Sequence, residues 1–95
     1  MLKPWSKGED EFLCRCCIDL YVNNKSIEPI KSLITQCADR PEFLGRSRGS
    51  IRMRIQNIKA VLEMHKIGNV IPLSPLENFA EQTESILLRM LGGCI

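Results

Sequence analysis

From Ser47 to His65 the chain reads SRGSIRMRIQNIKAVLEMH, and this stretch decides the expected architecture. Ile51, Ile55, Ile58 and Leu62 stand at i, i+4, i+7 and i+11, which is one face of an α-helix. At about 100° per residue, Arg48, Arg52, Lys59 and Lys66 fall within about 40° of one another on a neighbouring face. Arg54 projects on the opposite flank of the apolar stripe. Ser47 is the expected N-cap, because its hydroxyl accepts a backbone N–H of the first turn. Gly68 and Asn69 are the expected end. Such a helix needs partners under its apolar stripe and leaves a cationic face for something else.

Working towards the N-terminus, a second helix is expected from Ile27 to Ala38, with Ser26 as cap and Pro29 tolerated in the first turn. Its apolar face is Ile30, Leu33, Ile34 and Cys37. Asp39 to Gly45 reads as a turn, with Pro41 pushing Arg40 out of helical geometry and Phe43 and Leu44 packing downward. A first helix is expected from Lys7 to about Val22, ended by Asn23-Asn24. Ser6 and Glu9 form a capping box, and Glu9, Asp10 and Glu11 set negative charge at the positive end of the helix dipole. Its buried stripe is Leu13, Cys16, Cys17 and Leu20, flanked by Phe12.

Beyond the third helix, Val70-Ile71-Pro72-Leu73-Ser74-Pro75 reads as an extended connector, since two prolines forbid helix there. A fourth helix is expected from Leu76 to Leu91, with Ser74 as cap and Pro75 as its first residue. Leu76, Phe79, Ala80, Thr83, Leu87 and Met90 make its stripe, and Glu77, Glu81 and Glu84 its acidic outer face. The expected organisation is one all-α domain over residues 1–95. A compact three-helix, helix-turn-helix (Myb-like) core covers about 5–66. A proline-containing connector over 67–75 leads to a C-terminal helix over about 76–91.

Charge is distributed unevenly. Residues 40–66 hold seven Lys and Arg against two Glu, a local excess of +5, while the rest of the chain carries −3 and the whole +2. A basic segment in a mildly acidic domain points to a polyanionic partner. The apolar runs fall far short of the ~20 residues a membrane span needs, and Met1 to Trp5 resembles no signal peptide. The expected compartment is the cytoplasm. Five cysteines (Cys14, Cys16, Cys17, Cys37 and Cys94) are an odd number, which argues against a disulfide scaffold. Cys14 and Cys17 have one zinc-like spacing, but structural zinc shows paired short spacings, so buried thiols are expected and no metal. The single histidine, His65, cannot build a nuclease centre; it suits a helix C-terminus. With no phosphate-binding loop and no H-E-x-x-H, the chain is expected to be no enzyme and to hold no cofactor.

A basic helix after a tight turn matches the logic of a recognition helix, which buries one face and offers the other to a groove. Arginine's planar fork grips a phosphate or a guanine edge with two bonds. Gly49 permits close approach of a DNA backbone to the helix N-terminus.

The run Gly45-Arg46-Ser47-Arg48-Gly49-Ser50-Ile51-Arg52-Met53-Arg54-Ile55-Gln56-Asn57-Ile58 resembles the R-S-x-G-S-I-x-x-K-x-x-N-I pattern. That pattern occurs in amino-terminal modules of bacterial HNH-type endonucleases and related restriction proteins. Ala60 to Glu63 also fits, Pro75-Leu76-Glu77-Asn78-Phe79 resembles the family's P-x-x-N-Y segment, and Trp5-Ser6 with Glu9 resembles its W-[ST]-x-x-E start. The resemblance implies a module that helps bind DNA while cleavage sits in a separate domain, which this sequence does not include; a stand-alone relative and an isolated piece both fit. It nominates Arg46, Ser47, Ser50, Arg54 (where lysine is usual) and Asn57, the last as a base reader or a structural cap. Pro72-Leu73-Ser74 departs from the family's glycine-aromatic pair.

The expected function is therefore non-catalytic binding of duplex DNA, through Arg46, Ser47, Arg48, Ser50, Arg52, Arg54 and Lys59. The alternative is a protein-interaction adaptor, SANT-like or phage- or defence-linked, that sets the same basic face on an acidic partner. A homodimer through the fourth helix or the Cys94-Ile95 tail is a further expectation, with no membrane or small-molecule partner.

Overall fold

Ser6 and Glu9 cap the first helix reciprocally, as their spacing requires. The Ser6 hydroxyl accepts the Glu9 N–H at 3.1 Å, and Glu9 Oε1 accepts the Ser6 N–H at 2.9 Å. The structure, a computed structural model, describes residues 4–24 and 29–92. Among these it is all-helical, with α1 (Lys7–Cys17), α2 (Ile30–Ala38), α3 (Arg48–Met64) and α4 (Glu81–Gly92). No strand occurs among the described residues, and no helix is long and apolar enough to cross a membrane.

α1 continues as a π-helical stretch, Ile18–Asn23, so the rod ends where the asparagine pair predicts. The Asn24 N–H and side-chain amide both donate to the Asp19 carbonyl, at 3.2 and 2.6 Å. The buried face is rotated from the expected one. Leu13, Cys14, Cys17, Ile18 and Tyr21 are buried, while Cys16 and Leu20 lie half-buried on the flank. Glu9 and Asp10 stand one turn before Leu13 and Cys14 on that same face and are fully buried.

α2 buries Leu33, Ile34 and Cys37. Pro29 occupies its N-cap position; the expected start at Ile27 with Ser26 as cap lies outside the described residues. The corner after α2 contains a 3₁₀ turn, Pro41–Phe43. Phe43 is buried there, edge-on to Trp5 (5.8 Å) and to Phe12 (5.9 Å). Leu44 does not follow it downward and is 81% exposed. The chain turns extended at Leu44 and reverses at Gly45, whose φ of +83° suits glycine, so consecutive side chains part.

α3 is the central helix, packed by α1, α2 and α4. Ser47 Oγ accepts the Ser50 N–H at 3.1 Å, and Ile51, Ile55, Ile58 and Leu62 are fully buried. The helix ends before Gly68. Ile67 N–H donates to the Leu62 carbonyl at 2.8 Å and Lys66 N–H to that of Glu63 at 3.1 Å. This is the Schellman pattern, with Lys66 (φ +58°) in the left-handed position.

The fourth helix starts at Glu81, not at Leu76 as expected. Leu76 is committed sideways: its N–H donates to the Gln56 carbonyl at 3.1 Å, and its own carbonyl accepts from Asn57 Nδ2 at 2.8 Å. Gln56 Nε2 donates to the Ser74 carbonyl at 3.1 Å. A peptide group spent on a neighbouring helix cannot join a helical ladder, so the segment stays out of regular structure until Glu81. α4 then buries Thr83, Ile86 and Leu87, while Phe79 and Met90 are half-buried and Ala80 is exposed. Gln56, Asn57 and Ala60 lie on the side of α3 opposite its isoleucine stripe, by about 130–170°. The connector therefore covers the outer face of α3 over its C-terminal half.

Candidate nucleic-acid interface

Two acids on the core face of α1 demand buried partners, because an uncompensated carboxylate away from water is costly. The basic segment supplies them. Arg46 donates from Nε to Glu9 Oε2 and from Nη2 to Glu9 Oε1, both at 2.9 Å, and from Nη2 to the Pro4 carbonyl at 2.9 Å. The two side chains are 4% and 0% exposed. Arg54 donates from Nε and Nη2 to the two carboxylate oxygens of Asp10, at 2.8 Å each, with 10% and 0% exposure. Both guanidiniums lie over the Trp5 ring, 4.4 and 4.8 Å from its centroid, a favourable cation–π placement. Gln82 of α4 closes the cluster, donating to Asp10 Oδ2 at 2.7 Å and to the Trp5 carbonyl at 3.0 Å.

Burial by itself raises the Glu9 carboxyl. The hydrogen bonds from Arg46 and from the Ser6 N–H, with the charge of Arg46, outweigh it and hold the group below its ordinary 4.5.

The connector takes a third cation. Lys59 Nζ donates to the Ile71 carbonyl at 2.9 Å and to Asn69 Oδ1 at 3.2 Å, and pairs with Glu63 at 3.1 Å; its side chain is 14% exposed. Arg40 pairs with Glu42 at 2.8 Å. Of the seven cations in residues 40–66, Arg48, Arg52 and Lys66 have no carboxylate partner among the described residues. Lys66 lies beyond the far end of α3. Arg48 and Arg52 stand one turn apart, exposed, on its first two turns. Arg48 is steadied by Thr35 of α2, whose hydroxyl accepts from Nη1 at 2.8 Å.

The seven residues expected at the interface thus separate by position. Arg48, Ser50 and Arg52 reach the surface of α3's first turns, and Ser47 caps them. Arg46 and Arg54 are turned into the α1 cluster and Lys59 into the connector. Asn57 spends its amide on Leu76. Sequence reasoning passed over Glu9 and Asp10 as buried partners and over Trp5 and Gln82 as their company. A signal was present: Glu9 and Asp10 are in helical register with Leu13, Cys14 and Cys17, so they had to face the core.

A groove of about 750 Å³ runs between the first turns of α3 and residues Leu76 and Asn78. Its walls include Trp5, Ser50, Arg52, Met53 and Arg54, and no carboxylate. Pro75, Glu77 and Phe79 line a separate hollow of about 430 Å³ with Ala60, Glu63 and Met64. Alternate residues of the 75–79 segment thus face a cationic groove and an acid-rimmed one.

Burial pushes the thiols of Cys14 and Cys37 up to about 12, and that of Cys17 well above its ordinary value. Cys94 lies outside the described residues. His65 Nε2 is 3.0 Å from Glu84 Oε2. Among the described residues no group of three or more His, Cys, Asp or Glu is placed to hold a metal ion. No family model, curated protein or solved structure matches the chain.

Proposed function

We propose that the chain is a non-catalytic, duplex-DNA-binding module of helix-turn-helix type, with α3 as the recognition helix. The observation that carries this reading is the exposed pair Arg48 and Arg52 on the first two turns of α3, free of carboxylate partners. Recognition helices contact bases through their N-terminal residues, and here the connector leaves only that half uncovered. Gly49 supports close approach: a Cβ there would meet nothing within 4 Å, so packing within the protein does not demand a glycine. In this reading Arg46 and Arg54 hold α3 in place and Lys59 holds the connector.

The test is a salt titration of binding to random duplex DNA. Affinity falls steeply with salt, and Arg48→Ala with Arg52→Ala makes the log–log slope shallower by about 2, one phosphate each. Charge reversal of both abolishes binding, whereas Lys31→Glu on α2 does not. Binding indifferent to salt and to the double reversal would overturn the reading.

A second reading, an adaptor for an acidic protein, is favoured by Leu44 and Met53, large apolar side chains 81% and 54% exposed. It predicts no shift of duplex DNA even at low salt.

A further inference from the structure

Three polar side chains converge on the cationic groove with no internal hydrogen bond spent by the side chain. They are Ser50 and Arg52 from α3 and Asn78 from the connector. The other polar groups nearby are occupied: Arg54 by Asp10, Asn57 Nδ2 by the Leu76 carbonyl and Gln56 Nε2 by the Ser74 carbonyl. Between the free groups, Met53 offers an exposed apolar surface. The alternation of residues 75–79 turns Asn78 toward this groove and Glu77 away from it.

Resting on the DNA-binding reading above, we infer that this groove reads base edges, with Asn78 as a specificity-determining residue supplied from outside the recognition helix. The chemistry fits a base better than a phosphate. A carboxamide has a donor and an acceptor side by side, which matches N7 and N6 of adenine, and an arginine fork matches O6 and N7 of guanine. A methionine thioether suits a thymine methyl. Phosphate takes donors alone and would leave the amide oxygen of Asn78 without a partner. The absence of a carboxylate from the walls keeps the groove attractive to nucleic acid and repels none of it. Two elements reading one stretch of groove also extend the few base pairs that two helical turns can cover.

The test is selection from a randomised duplex library with the wild-type chain, Asn78→Ala and Asn78→Asp. The wild type enriches a motif with adenine at one position. Asn78→Ala loses that preference, a drop in discrimination of roughly tenfold or more, while its affinity for random DNA and its salt slope stay unchanged. Asn78→Asp turns the preferred base to cytosine, whose N4 donates to a carboxylate. Asn78 is exposed and makes no hydrogen bond among the described residues, so both variants keep the wild-type melting transition; the isosteric Asn78→Asp carries the test if Asn78→Ala does not fold. A motif unchanged in the variants overturns the inference, as does wild-type binding that enriches no motif; both leave DNA binding standing. Failure of the wild type to bind any duplex at low salt is a different result and overturns the underlying reading.

Discussion

Arg46 and Glu9 form a buried two-bond ion pair across 37 residues of sequence, and the same Glu9 carboxylate closes the capping box of α1. One oxygen, Oε1, accepts from both the Ser6 N–H and Arg46 Nη2. A local helix-start device thereby doubles as the clamp that fixes the entry to α3. Removing one member of a buried pair strands the other, which costs about 3–5 kcal/mol. Glu9→Ala and Arg46→Ala are each expected to lower stability by that order in chemical denaturation. Any loss of DNA binding in Arg46→Ala should track unfolding, and should be restored at temperatures low enough to refold it.

The same pair sets an acid limit. The folded Glu9 carboxyl is held below its ordinary 4.5, so its contribution is present above that value and lost as pH falls through the lower folded value. Denaturation midpoints should decline as pH drops below about 4.5, with proton uptake on unfolding. Glu42, also lowered by its hydrogen bond from Arg40 but solvent-exposed, should contribute little, so that Glu42→Gln leaves the acid limb nearly unaltered. An acid limb equally shallow in Glu9→Gln and wild type would contradict the assignment.

Asn57 is the rivet between α3 and the connector. Asn57→Ala leaves the Leu76 carbonyl without its side-chain donor, a loss of about 1–3 kcal/mol. The Leu76 amide, bonded to the Gln56 carbonyl, should then exchange its hydrogen faster than amides in the middle of α3. Uniform acceleration across the molecule would instead mean that the connector and the core unfold as one unit.

Lys66 sits in a left-handed conformation that costs an L-residue about 1–2 kcal/mol. Lys66→Gly should therefore raise stability by up to about 1 kcal/mol, read as a higher melting temperature, with DNA affinity reduced only modestly because the residue lies beyond the end of α3. A lower melting temperature would show that the lysine makes a contact worth more than the strain.

The thiols of Cys14 and Cys37, pushed up to about 12 by burial, should resist alkylation at neutral pH, because the thiolate is the reactive form. Mass spectrometry after brief maleimide treatment should find both unlabelled in the folded chain and labelled in denaturant. Rapid native labelling of Cys37 would indicate an opening of α2 from the core.

The elements legible in the sequence rest on short-range relations. The Ser6–Glu9 capping box, the Ser47 cap and the isoleucine stripe of α3 each depend on residues three to eleven apart, and helix geometry converts such spacing directly into contact. The α2 face and the asparagine stop of α1 were readable for the same reason. What tertiary structure decided is which cations remain at the surface. Arg46, Arg54 and Lys59 look equivalent to Arg48 and Arg52 in a helical projection, yet Glu9, Asp10 and the Ile71 carbonyl lie 37, 44 and 12 residues away. No local pattern specifies such partners; the cost of burying an unpaired carboxylate does. The start of α4 was settled in the same way, by Gln56 and Asn57 taking hold of Leu76 before a helix could. The sequence determined an all-helical chain with a cationic third helix, and the long-range pairing of its buried charges left Arg48 and Arg52 as that helix's exposed arginines.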